Sequence, residues 1–458
     1  MVKNEHSLKK NITRVLTANF WVASIGFASS FIFPKILSIE SYALFQSFTL
    51  YLSYIAILHL GFPSGMVINY AGQNYEDIEL ERYKSEIKVV LYVLISFTIL
   101  FVLLFMYSHD KMIGYIAISI IPVGLLGSYK ALLQAWGKFK KFSKISTIVA
   151  TSTPIMALLY YSFTGDLPGD IYISIYLIVN WFITILIIIE NFKKTKKVKS
   201  APIFTNQNWL TEKTGLIMVL GNYINTLFVS TDKQFVKFFF GNTEFAFYSF
   251  GISMQSLMTI FISSVAQPLF PAMAQNRFQD SEYNKIKNLL ISFGSLAGCC
   301  YFIAAIIVKS FIKKYESSLD IVGIYFVVFP ALAVINCLYI NLYKIKGLIR
   351  LYIHTLIFML ITAIILNILF INIINNYTGV AIATTITYYI WLFIGIRQFE
   401  FLKISIKDII YLLLYTSAFF VFKKITNDYI GFITNFLFIV ILSKSFYEKD
   451  LRYLLNRK

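Results

Sequence analysis

Acidic side chains are scarce in this 458-residue chain: 23 Asp and Glu stand against 41 Lys and Arg, a formal net charge of +18. Cysteine is scarcer still. Cys299, Cys300 and Cys337 all fall in apolar segments, where they read as packing residues and suggest neither a disulfide framework nor a metal site. The four histidines, His6, His59, His109 and His354, are scattered without close pairing, so no metal centre is expected. His59 and His354 read either as packing residues or as titrating members of a coupling path. No Gly-x4-Gly-Lys-Ser/Thr loop occurs, so direct nucleotide drive has no support. Long polar stretches are missing as well: the longest inner segment is about 22 residues, too short for a soluble domain. The opening "MVKNEHSLKKNITR" is polar and basic with no small-residue cleavage site after the first apolar run, so no signal peptide is expected. No cofactor is implied.

What the chain does have is apolar length. Hydrophobic residues make up 58% and aromatics 17%, and the mean hydropathy is +0.69. Segments of about 20 apolar residues recur throughout, each able to cross a hydrocarbon core about 30 Å thick. About fourteen such segments are expected, the last two interrupted by Lys423 and Lys424. The class is an all-α polytopic membrane protein. Basic residues accumulate on one side when the N-terminus is placed inside, as in the cluster Lys193, Lys194, Lys196, Lys197 and Lys199. Both termini are therefore expected inside, and the positive charge reads as a topology signal and an attraction to anionic lipid heads rather than as nucleic-acid binding.

An internal repeat organises the spans. "SIESYALFQSF" from Ser38 and "GNTEFAFYSF" from Gly241 share an acidic-aromatic-Ala pattern at an offset of about 203 residues, and "GKFKKFS" from Gly137 echoes "YKIKGLI" from Tyr343 at about 206. Six helices return the chain to its starting side, so the repeats must be parallel. The expected plan is two parallel six-helix bundles (helices 1–6 and 7–12) around a central cleft, plus two C-terminal helices. The bundles occupy 1–190 and 214–400, joined by a basic cytoplasmic linker at 191–213, with 401–458 as two extra helices and a tail.

Charges within spans mark the candidate site. A charge at bilayer depth costs roughly 2.5–3.5 kcal/mol on insertion scales, yet "NTLFVSTDKQFVKFFFG" carries three. At helical spacing Asn222, Thr226, Ser230, Lys233 and Lys237 form one stripe, with Asp232 about 100° to the side. Helix 8 shows a second stripe, Ser249, Ser256, Thr259, Ser263 and Gln267. Such faces line water or protein, because in lipid each polar group would be unsatisfied. They serve either as helix–helix glue or as a wet cavity. Asp232 and Lys233 read either as an ion pair or as separate members of a cleft. Lys237 and Lys130 either line the cleft or snorkel to a surface, and Arg14 either meets a ligand or signals topology.

The stretches 31–72 ("FIFPKILSIESYALFQSFTLYLSYIAILHLGFPSGMVINYAG"), 230–250 ("STDKQFVKFFFGNTEFAFYSF") and 266–275 ("AQPLFPAMAQ") resemble Wzx-type polysaccharide flippases of the MOP (multidrug/oligosaccharidyl-lipid/polysaccharide) exporter superfamily. Ser41 and Ala43 depart from the family pattern, which often has acidic residues or Gly there. The resemblance extends over residues 10–400. It implies a flippase of the bacterial inner membrane, carrying undecaprenyl-diphosphate-linked oligosaccharide repeat units to the periplasmic leaflet for O-antigen synthesis. The polysaccharide polymerase and chain-length regulator are its expected partners. The lysines would meet the diphosphate, and Asp232 would hold Lys233 or take part in cation coupling. A MATE-like small-molecule exporter shares the architecture but suits an acidic cleft. A polymerase or glycosyltransferase suits a large outer loop, whereas the fifth–sixth loop here, "TGDLPGD", offers only Asp166 and Asp170. The expectation is a transporter and not an enzyme.

Overall fold

The computed structural model describes residues 2–71, 73, 79–202, 206–275 and 278–456, without the side chains of 2–16, 206–212, 214, 217, 263, 267–268, 271–272 and 453–456. Among the described residues every regular element is a helix. Nine helices among the described residues are long and apolar enough to cross a membrane, eleven when each of two bent pairs counts as one span. Three further long helices, Val2–Ile36, Asn206–Phe239 and Ile406–Ile425, of 35, 34 and 20 residues, are not among these candidate spans, so nine to eleven stand against the fourteen expected from the sequence. The protein is an all-α multi-pass membrane protein, as the apolar periodicity predicted.

Two compact units divide the chain, Met1–Leu227 and Phe228–Lys458. The first holds α1 (Val2–Ile36), α2 (Ile39–Leu52), α3 (Phe62–Tyr70), α4 (Leu80–Ser108), α5 (Lys111–Ala135), α6 (Phe139–Thr164) and α7 (Gly169–Thr195). Its turns are written locally. Ser38 caps α2 by accepting from Ser41 N at 3.0 Å, and Asp110 caps α5 by accepting from Met112 N at 2.8 Å. His109 and Gly165 close α4 and α6 in the left-handed conformation. Buried Phe48, Met66, Val90, Leu94, Ile120 and Leu132 pack into one core shared by α2 to α5.

The second span is broken. α2 and α3 meet at 59°, with Leu60 and Gly61 at positive φ of 51° and 79° and Pro63 in the first turn of α3. Gly61 is needed twice over. Its φ suits glycine, and a Cβ there would lie 2.4 Å from the backbone of Gly215. A Cβ on Gly215 would in turn lie 1.9 Å from the Gly61 carbonyl oxygen. Two glycines thus let the break in the second span touch the backbone of α8 (Asn206–Phe239), a helix that runs from the first unit into the second.

The second unit continues with α9 (Asn242–Ala274), α10 (Asp280–Ser295), α11 (Ala297–Phe311), α12 (Leu319–Val327), α13 (Phe329–Val334), α14 (Ile340–Ile345), α15 (Ile349–Ile374), α16 (Tyr377–Arg397), α17 (Ile406–Ile425) and α18 (Asp428–Asn456). α12 to α14 form a second broken span, bent 47° before Pro330 and loosened by a π-helical turn over Ile335–Tyr339. α10 and α11 pack against α18, which pairs with α17. A buried polar clamp fixes this pair. Lys287 of α10, 2% exposed, donates to Asp408 Oδ2 at 2.5 Å and to the Lys403 carbonyl at 2.6 Å. Tyr447 donates to Asp408 Oδ1 at 2.9 Å, and Asn288 donates to Asp450 Oδ2 at 2.8 Å. Lys287 counts toward the positive net charge, yet its ammonium is used inside the protein, holding α17 and α18 to α10.

Candidate functional site

Asp232 is the most deeply placed charge on α8, 5% exposed. Its side chain receives the Tyr325 hydroxyl hydrogen bond on Oδ2 and the Lys233 backbone N–H on Oδ1, the latter at 2.6 Å. Tyr325 lies in α12, and its hydroxyl meets that of Tyr248 in α9 at 2.6 Å. Thr384 of α16 is within hydrogen-bonding reach of Tyr248. A carboxylate and two phenols from α8, α9 and α12 therefore form one buried polar chain. Ring contacts close its flank: Phe228 meets Tyr388 and Trp391 of α16 edge-on, both at 5.4 Å.

Asp232 and the Lys233 ammonium do not form an ion pair. Among the described residues no carboxylate lies within ion-pair distance of Lys233 Nζ, and no hydrogen bond engages it. Adjacent residues on a helix point about 100° apart, so the carboxylate turns to α9 and α12 while the ammonium does not. Lys233 is half-buried. A buried carboxylate satisfied by neutral donors, beside a separately directed ammonium, presents two chemically distinct positions: one suited to a cation or proton, one to an anion.

The other predicted residues distribute as follows. Asn222 and Thr226 lie on the first-unit part of α8, Asn222 exposed and Thr226 half-buried, with Thr226 Oγ1 donating to the Asn222 carbonyl at 3.0 Å. Ser230 is buried, 8% exposed. Lys237 sits in the last turn of α8, where its ammonium donates to Asn242 Oδ1 at 2.9 Å and lies 5.1 Å from the centre of the Phe245 ring. Lys130, on α5 of the first unit, is half-buried and has no hydrogen-bond or ion-pair partner among the described residues. Arg14 lies outside the described side chains, as do Ser263 and Gln267 of the second stripe. Within that stripe Ser256 and Thr259 bond back to α9 carbonyls, at 2.9 and 2.6 Å. Tyr248 and Tyr325 were missed. Tyr248 precedes a residue of the polar stripe, Ser249, but nothing local to Tyr325 marks it as the partner of a carboxylate 93 residues away.

No three His, Cys, Asp or Glu side chains come together to hold a metal among the described residues. No family model matches the sequence, and no curated protein does. Among solved structures the chain is similar to "Lipid II flippase MurJ, inward closed conformation", at a TM-score of 0.68 and 17% identity, over 96% of this chain and 99% of that one. This chain has that fold. At 17% identity the likeness concerns the path of the helices rather than the side chains, so the lysines and the Asp232 cluster have to be weighed on their own chemistry.

Proposed function

We propose that the protein is a flippase for lipid-linked oligosaccharides, moving undecaprenyl-diphosphate-linked repeat units from the cytoplasmic to the periplasmic leaflet during O-antigen or related surface-polysaccharide synthesis. It acts in the bacterial inner membrane with both termini cytoplasmic, by alternating access between its two halves. The observation that carries this reading is Lys233: a half-buried ammonium on the long helix α8 with no carboxylate within ion-pair distance among the described residues. A charge kept at that depth needs a counter-charge or water, and a sugar diphosphate supplies about two negative charges and several acceptor oxygens. Lys130 offers a second ammonium of the same kind. The solved structure with this fold is named a lipid II flippase, and a fold used by a flippase is compatible with this reading. The polyprenyl tail stays in lipid while the head group passes. Asp232, away from the lysine and wrapped in phenols, is the group for cation coupling. The polymerase and chain-length regulator of the same surface polysaccharide are the partners such a carrier would serve.

The test is complementation in a strain lacking its own flippase, with surface polysaccharide scored at matched protein level. Lys233→Ala should abolish polysaccharide and Lys233→Arg should restore it. Full activity in Lys233→Ala moves the head-group site elsewhere. A cation-coupled exporter of small molecules is the second reading, favoured by the buried Asp232. It predicts drug efflux that Asp232→Asn abolishes and Lys233→Ala leaves intact.

A further inference from the structure

On the first unit, α4 and α7 both pack closely on α5 but scarcely on one another, which leaves a cleft of about 220 Å³ between them. Its walls are apolar, formed by Ile87 and Leu91 of α4, Leu125 of α5 and Ile188 and Phe192 of α7. The flank is open: Phe192 is 62% exposed and Ile188 42% exposed. α4 is the most hydrophobic candidate span of the chain, with a mean hydropathy of 2.9 over its best window, so an exposed face beside it is a face for lipid. From Lys84 to Leu91 the cleft runs about 10 Å along α4 at 1.5 Å per residue.

The mouth of the cleft is basic. Lys84 and Lys88 line it, but they are used differently. Lys84 is committed to the protein: it donates to the carbonyls of Thr195 and Val198 at 2.9 and 2.8 Å and so fastens the end of α7. Ser85 holds the Pro202 carbonyl at 3.1 Å, and Ala201 N donates to the Glu81 carbonyl at 3.2 Å. These bonds fold the segment after α7 back along α4 and bring exposed Lys196, Lys197 and Lys199 to the same end. The nearest α7 carboxylate, Glu190, is already bridged by Lys141 and Lys194. Lys88, one turn deeper than Lys84 and half-buried, has neither an ion pair nor a hydrogen bond among the described residues.

We propose that this cleft is a binding site for an anionic phospholipid of the leaflet at that end of the helices, one acyl chain lying between α4 and α7 and the phosphate meeting Lys88. The apolar walls match a hydrocarbon chain, the free ammonium stands where the chain gives way to the head group, and the basic segment after α7 adds a field that excludes cationic heads and favours anionic ones. A zwitterionic lipid fits the walls but cancels most of the attraction. The site is separate from α8 and needs no assumption about what is transported.

Brominated lipids test this on the full-length protein. With the five native tryptophans replaced by Phe, the indole of Phe192→Trp reports from the cleft wall, and its quenching is read in phosphatidylcholine vesicles containing either dibrominated phosphatidylglycerol or dibrominated phosphatidylcholine. Phosphatidylglycerol should bind about fivefold more strongly, the equivalent of about 1 kcal/mol for one lysine at a membrane surface. Lys88→Gln should lower that ratio at least about twofold, leaving only the field of the segment after α7, and Lys88→Arg should keep it, while Leu91→Phe, which narrows the cleft, should weaken quenching by both lipids. Millimolar glycerol phosphate should leave the ratio unchanged, since a phosphate without its chain has nothing to place between α4 and α7. Equal quenching by the two lipids in the parent, a ratio indifferent to Lys88→Gln, quenching indifferent to Leu91→Phe, or displacement by glycerol phosphate would each overturn the proposal.

Discussion

Removing the Tyr325 hydroxyl while keeping its ring takes away the donor to Asp232 together with the contact to the Tyr248 hydroxyl. The side chain of Asp232 is 5% exposed, and water has little access to replace a lost donor. Its acceptors are filled by one side-chain hydroxyl and one backbone N–H. A hydrogen bond to a charged group contributes about 1.5–3 kcal/mol, and a buried group left without its partner costs about as much. Tyr325→Phe should therefore lower the unfolding free energy by about 2 kcal/mol. Asp232→Leu leaves the Tyr325 hydroxyl with the Tyr248 hydroxyl alone and should cost about 1–3 kcal/mol. The two together remove donor and acceptor, so the double variant should be less destabilised than the sum of the singles by at least about 1.5 kcal/mol. Tyr248→Phe, which breaks a contact between two neutral hydroxyls, should cost less, about 0.5–1.5 kcal/mol. Unfolding by sodium dodecyl sulfate added to mixed micelles, followed by circular dichroism, gives all four values on one scale. Additivity of Tyr325→Phe and Asp232→Leu within about 0.5 kcal/mol would refute the coupling.

Lys287→Met leaves Asp408 buried without its cation and should cost about 3–5 kcal/mol in the same assay, with Lys287→Met/Asp408→Leu recovering most of it; no recovery would mean that the clamp does not act as a pair. Gly215→Ala places a methyl group 1.9 Å from the Gly61 carbonyl oxygen and should give protein that aggregates on size-exclusion chromatography. Gly127→Ala, in the interior of α5 with nothing within 4 Å of the added atom, should instead be neutral or stabilising by up to about 1 kcal/mol.

Most of the long helices were legible because they obey a local rule, an apolar length fitted to the bilayer; caps such as Ser38 and Asp110 emerge only with the fold. Periodicity also separated Asp232 from the lysine stripe, and that angle is why the carboxylate and the ammonium go different ways. Its limits show at Tyr325 and at Asp408. The partners of Asp232 come from α9 and α12, and the partner of Lys287 lies 121 residues away; neither pairing leaves a trace in local spacing. Lys287 shows why charge counting misleads about individual residues. A basic residue at the end of a span adds to the topology bias whether it ends in water or in a buried pair, and only the fold distinguishes the two. The close approach of Gly61 and Gly215 was equally hidden, because a glycine needed for contact looks in sequence like one needed for a turn.

The position of the Asp232 cluster gains meaning from the break beside it. Pro330 has no N–H to give to the Phe326 carbonyl one turn earlier, and Val328 N turns to the Tyr325 carbonyl at 3.2 Å instead of reaching Ile324. In a membrane such carbonyls must find other donors, and here side-chain hydroxyls supply them. Tyr415 of α17 donates to Phe326 O at 3.2 Å, Thr385 of α16 to Ile324 O at 3.3 Å, and Tyr389 to Val327 O at 2.8 Å. Tyr325, which holds Asp232, sits between these residues in the same turn. The bend of the broken span and the carboxylate of α8 therefore share one polar neighbourhood. Occupation of Asp232 by a proton or cation would change what Tyr325 must supply, and hence what holds the bend.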